Sequence, residues 1–232
     1  MSAPVRYQQI ALGLSLPGTA TFEDFWPGPN AELVAQLEFR LARDAGASVY
    51  LSGPSGSGKT HLLQACCNAA RGRIGYLPLA EVVSCGPGII DGLDQLDCVC
   101  IDDLDRVAGR EDWEQQLFVY CNRLRDAGRM LIVSAALPLR ELPLRRDDLL
   151  SRLAWGLVYR LRGPNDAELA EALRFLCDRR GMPIAPEVAE FLLRRLPRSL
   201  ADLVATVEQL DAASLQAHRR LSVPFVKDVL RL

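Results

Sequence analysis

Short apolar runs alternate with amphipathic stretches from residue 48 to residue 161, and then the alternation stops. Residues 48–52 (SVYLS), 74–79 (IGYLPL), 98–101 (CVCI), 130–134 (MLIVS) and 157–161 (LVYRL) read as strands. The runs at 98–101 and 130–134 carry almost no polar residue, as expected of strands covered on both faces. Between them lie helical patterns. Leu33, Val34, Leu37 and Leu41 fall on one face of a helix that Asn30 is placed to cap, residues 59–70 form a second helix, and 113–125 a third. Strand and helix in turn predict a parallel sheet of five strands with helices on both faces. From Asn165 the strands give way to helices at about 166–180, 186–195, 199–217 and 224–231. Gly163-Pro164 marks the change, and Ser222 with Pro224 two residues on is a strong start for the last helix. The expected organisation is a tail (1–20), an α/β domain (21–163) and a small all-helical domain (164–232). An aromatic segment at 21–27 (TFEDFWP) is expected to dock on the body.

Composition narrows the function classes. The chain has 232 residues, 49% of them apolar, enough for a full core. Its net charge of −2 lends no support to broad binding of nucleic-acid phosphates. Seven cysteines form no C-x-x-C pair, and only His61 and His218 could assist a zinc site. Buried, reduced thiols are the expectation. No apolar run reaches the ~20 residues that span a bilayer, and no secretory h-region follows Arg6. A cytoplasmic protein with no membrane partner is expected.

The strand at 48–52 runs directly into Gly53-Pro54-Ser55-Gly56-Ser57-Gly58-Lys59-Thr60, a complete Walker A pattern. Glycines let successive backbone N–H groups turn toward phosphate oxygens, and the helix beginning at Lys59 adds its positive end. Lys59 reaches the β- and γ-phosphates, and Thr60 ligates Mg²⁺. His61 follows the motif and joins the candidate nucleotide contacts. Asp102 and Asp103 close the strand at 98–101, the position at which a parallel sheet delivers carboxylates beside a phosphate loop. Asp102 is the candidate Mg²⁺ residue, and Asp103 the group that activates an attacking water.

The Walker pair followed by helices resembles the AAA+ ATPases. Residues 58–63 (GKTHLL), 101–104 (IDDL) and 151–157 (SRLAWGL) resemble the core of DnaA. The segment Thr21-Phe22-x-x-Phe25-Trp26-Pro27-Gly28 and the ending at 224–230 (PFVKDVL) resemble the DnaA-related Hda branch. The likeness runs over nearly the whole chain, and the sequence stops at Leu232, where DnaA continues into a DNA-reading domain. It implies adenine nucleotide (ADP or ATP) with Mg²⁺ as cofactor, and DnaA as partner. It also implies replisome association, a possible homo-oligomer and no sequence-specific DNA contact. Gln9, Ile10, Leu12 and Leu14 (QIALGL) resemble a peptide that binds the replication sliding clamp. Arg152 matches the family's arginine finger, offered to a neighbour's nucleotide. Arg198 matches the lid arginine called sensor 2, with Arg194 or Arg195 as competitors. Sensor 1 departs from the family: Ala136 stands where DnaA has an Asp, which weakens the expectation that this chain hydrolyses ATP itself. The implied function is regulatory inactivation of DnaA by stimulating hydrolysis of its ATP. An autonomous ATPase or helicase loader, and a tether without catalysis, are the alternatives.

Overall fold

A computed structural model of the chain describes residues 20–43 and 48–232. Five parallel strands form one sheet: β1 (Ser48–Ser52), β2 (Ile74–Pro78), β3 (Cys98–Asp102), β4 (Met130–Ala135) and β5 (Leu157–Arg160), in the order β2-β3-β4-β1-β5. β1 pairs with central β4 through Tyr50↔Val133 and with edge strand β5 through Tyr50↔Val158. β3 and β4 are buried at every residue, which is why their sequences are continuously apolar. The five strands expected from the sequence are all present, with ends shifted by a residue at most.

Helices cover both faces. α1 (Ala31–Ala42) and α2 (Lys59–Ala69) enclose one apolar cluster with Leu33, Leu37, Val49, Leu63 and Ile132. On the other face, after the single-turn α3 (Leu79–Val82), lie α4 (Glu111–Asp126) and α5 (Asp147–Leu153), around Trp113, Leu117 and Leu149. Asn30 stands at the start of α1, yet its side chain does not cap the helix. It pairs instead with Arg162, accepting from the backbone N–H and donating to the carbonyl, both at 2.9 Å. A tie across 132 residues outcompetes the local cap and fastens the start of α1 to the end of β5.

After β5 come α6 (Asp166–Arg179), α7 (Pro186–Leu193), α8 (Leu200–Ala217) and α9 (Val223–Leu230), packed around a third cluster of their own. α6 opens with a capping box, in which Asn165 accepts from the Glu168 N–H and Glu168 returns to the Asn165 N–H. Ser222 accepts from the Phe225 N–H with Pro224 in the first turn, as its sequence anticipates. One member of this third cluster comes from far away in the chain: Trp26, 4% exposed. Its neighbour Phe25 belongs to the cluster around α1 and α2. The 20–27 segment therefore joins the sheet body to the helical unit. All seven cysteines are free; Cys85 is exposed, against expectation, because it lies in a 3-10 turn between α3 and β3. Among the described residues no helix is long and apolar enough to cross a membrane.

Candidate nucleotide site and the Arg152 face

At the carboxyl end of β1 the chain turns through the phosphate loop into α2. Gly58 adopts φ +92°, a left-handed conformation, and a Cβ there would sit 2.6 Å from the Phe25 ring. Only glycine meets both conditions. Lys59 is buried and donates from Nζ to the carbonyls of Gly53 (2.8 Å) and Pro54 (3.0 Å). Its ammonium thus lies over the loop. Burial lowers its pKa, opposed by the charges of Asp103, Asp102 and Asp105. Ser57 is buried, and its Oγ has no hydrogen-bond partner among the described residues.

The loop forms one wall of a cleft of about 600 Å³ between the sheet body and the helical unit. Ser55, Gly56, Gly58, Lys59, Thr60 and His61 line it, while Gly53, Pro54 and Ser57 stand behind. Phe25 and Trp26 close one side and Ala201, Val204 and Glu208 of α8 another. His61 is held by a 2.8 Å hydrogen bond from Nε2 to the Thr21 carbonyl and by ring contact with Phe25, centroids 5.7 Å apart.

The two aspartates at the end of β3 are placed differently. Asp102 is 2% exposed and sits behind the cleft, accepting from the Tyr76 hydroxyl at 2.8 Å and from the Ser134 hydroxyl. Asp103 lines the cleft in a left-handed conformation, φ 59°. Its N–H donates to Ser134 Oγ at 3.1 Å, so one serine at the end of β4 holds the Asp102 carboxylate and the Asp103 backbone. Burial raises the Asp103 pKa, and the Asp102 and Asp105 charges add to the rise. Ala136 lines the same cleft with no side chain to offer; its N–H donates to Asp105 at 2.9 Å. Sequence reasoning missed Asp105, Arg106, Tyr76 and Ser134 here. Ser134 was the legible one, a lone hydroxyl in an apolar strand.

Arg152 and Arg198 do not join this cleft. Arg152 is half-buried near the end of α5. Its guanidinium lies 5.6 Å from the ring of Trp155, which is 60% exposed, and 5.8 Å from that of Phe118. Arg198 is exposed, ion-paired with Asp166, and lines a separate cleft within the helical unit. In this arrangement Arg198, expected from the sequence to contact phosphate, lies outside the cleft that holds the phosphate loop. The residues that approach the phosphate loop come from the next turn, in α8. Neither Arg194 nor Arg195 replaces it: Arg194 pairs with Glu190, and Arg195 stacks on Phe191 at 3.9 Å. Gln9, Ile10, Leu12 and Leu14 lie outside the described residues. Among the described residues no group of three or more His, Cys, Asp or Glu side chains is arranged to hold a metal.

Two family models match the sequence: one described as the Hda lid domain, over residues 166–230, and one described as RNA helicase, over residues 49–127. Among solved structures, domain III of the Thermotoga maritima replication initiation protein DnaA superposes with a TM-score of 0.75 at 22% identity, covering 91% of this chain and 95% of that one. DnaA from Aquifex aeolicus bound to AMPPCP gives 0.73 at 19%, over 87% of this chain and 68% of that one. A Thermotoga maritima RuvB variant gives 0.67 at 18%, over 89% and 69%. The fold they share is AAA+.

Proposed function

We propose that this AAA+-fold chain, whose residues 166–230 match the Hda lid-domain model, binds an adenine nucleotide and stimulates hydrolysis of ATP held by DnaA. The observation that carries the reading is the placement of Arg152: apart from the chain's own nucleotide cleft, on a face with exposed Trp155. A guanidinium so placed serves a neighbour rather than its own site. Its fixed fork of donors and permanent charge suit it to the charge that builds up on a transferring phosphoryl group.

In the chain's own cleft, Ser55, Gly56, Gly58 and Lys59 would hold the nucleotide phosphates. The loop fits such a group: Lys59 already donates to oxygens, and the buried Ser57 hydroxyl beside it is unpaired among the described residues. Thr60 would bind Mg²⁺, with Asp102 behind it, and the ion when bound neutralises phosphate charge. Asp103, with its raised pKa, faces the space where a water would be activated, but Ala136 has no group to orient that water. Slow turnover follows from that pairing, and the Hda resemblance suggests ADP as the nucleotide held in the working state. The Gln9–Leu14 hexapeptide would dock as an extended strand in apolar pockets of the sliding clamp. Residues 15–19 separate the hexapeptide from the docked Ala20 and span roughly 20 Å at most.

The test is ATP hydrolysis on purified DnaA with DNA-loaded clamp. Arg152→Ala is expected to return hydrolysis to the unstimulated rate, a loss on the order of 10³-fold or more for a finger supplied in trans, while clamp binding persists. Stimulation that survives the substitution overturns the reading. Gln9→Ala with Leu12→Ala is expected to remove clamp binding and to leave nucleotide binding intact.

A further inference from the structure

A cavity of about 480 Å³ lies beside Arg152, on the side of the sheet away from the residues that line the nucleotide cleft. Four arginines from separate places in the chain line it. They are Arg40 in the last turn of α1, Arg125 in the last turn of α4, Arg129 just before β4, and Arg152 in α5. Ser48 at the start of β1 and Trp155 complete the wall. No acidic side chain among the described residues lines the cavity.

Two of the four charges are answered nearby. Arg125 pairs with Asp126 at 3.0 Å, and Arg129 pairs with Asp97 at 2.8 Å. Arg40 and Arg152 make no ion pair among the described residues. Eight buried side-chain polar atoms lack a partner among the described residues, and four of them belong to this one wall: Arg40 Nε, Arg129 Nε, Arg152 Nε and Ser48 Oγ. Three are N–H donors without any acceptor role, and the fourth is a hydroxyl. Buried donors left unmet cost folding free energy, so natural proteins keep them few. Here they are gathered around one space.

We propose that this cavity is an oxyanion-binding site that takes a phosphate group in the single chain, with no second protein present. The donor set calls for an acceptor with several lone pairs, and the two guanidiniums without an ion pair among the described residues call for about two negative charges. A phosphate dianion supplies both. A carboxylate supplies one charge, and water none. An occupied site would hold the Arg152 guanidinium in place before any neighbour arrives. This goes beyond the role of Arg152 toward a partner's nucleotide, because it assigns Arg40, Arg129 and Ser48 and needs no partner.

The test is calorimetric titration of inorganic pyrophosphate into the full chain carrying Lys59→Ala, so that the phosphate loop does not compete. One saturable isotherm is expected. It should weaken about tenfold or more with Arg40→Gln, the loss expected for one charge-assisted contact, and weaken less with Ser48→Ala. Acetate at equal ionic strength should give no isotherm. Arg40 lies half-exposed near a helix end, and thermal melts check that both variants fold. The assignment is overturned if pyrophosphate gives no saturable heat at millimolar concentration, if binding ignores both substitutions, or if acetate binds as well. The assay contains no DnaA, so its failure leaves the hydrolysis test standing, and failure of that test leaves this one standing.

Discussion

Asp103 concentrates several constraints in one residue. Its φ of 59° is a left-handed conformation that only Gly, Asn and Asp visit readily. It places a half-buried carboxylate beside Asp102 and Asp105 in the cleft, and burial with those like charges raises its pKa. The ionised form is therefore disfavoured by folding. Above the raised pKa the charge opposes the folded state; below the ordinary value of 3.8 the carboxyl is neutral in both states and the penalty vanishes. Asp103→Asn keeps the conformation and removes the charge. We expect it to raise the melting temperature of the nucleotide-free chain at pH 7 relative to the parent. That charge-dependent gain should shrink as pH falls through the raised pKa toward 3.8, as melts across pH would record.

At the scale of elements, α5 decides where Arg152 points, and α5 is only seven residues long. Such a helix does not stand alone. Its anchor is Glu114 of α4, fully buried, whose carboxylate accepts from the backbone N–H groups of Gly109 (2.7 Å), Arg145 (2.9 Å) and Arg146 (3.0 Å). One side chain thus ties the entry to α4 and the entry to α5. Glu114→Ala would strand three part-buried backbone donors, each costing about 1 kcal/mol at the low end of the penalty for an unmet group. We expect a loss of about 3 kcal/mol or more in denaturant unfolding. We also expect stimulation of DnaA's ATP hydrolysis to fall more than the chain's own nucleotide affinity, because α5 carries Arg152 and none of the phosphate loop.

Across the whole molecule, the sheet body and the helical unit meet over the cleft, and short contacts couple them. Trp26 is inserted into the helical unit's core, Arg179 of α6 pairs with Asp24 at 2.9 Å and Glu23 at 3.2 Å, and Ala201 of α8 lies so close to Gly56 that a Cβ there would come within 2.6 Å of it. The exposed ion pairs contribute little by themselves; the buried indole carries the joint. Trp26→Ala is expected to cost about 3–5 kcal/mol and to split a single calorimetric unfolding transition into two. Nucleotide affinity should fall with it, since Trp26 also lines the cleft.

The sequence alone determined the five strands, the phosphate loop, the acidic end of β3 and the passage into helices at residue 165. All of these rest on local periodicity or contiguous motifs: eight residues fix Gly53–Thr60, and apolar continuity fixes β3 and β4. Tertiary structure decided what depends on contacts across distance. Asn30 is a good local cap, yet it bonds Arg162 at the far end of the sheet because those backbone groups also need partners. Arg198 sits where its motif suggested, but the turn that starts α8 directs it to Asp166 and leaves Ala201 and Val204 to face the phosphate loop. The grouping of Arg40, Arg129 and Arg152 around one cavity has no linear signature, because it is assembled from α1, the start of β4 and α5, which only the folding of the sheet brings side by side.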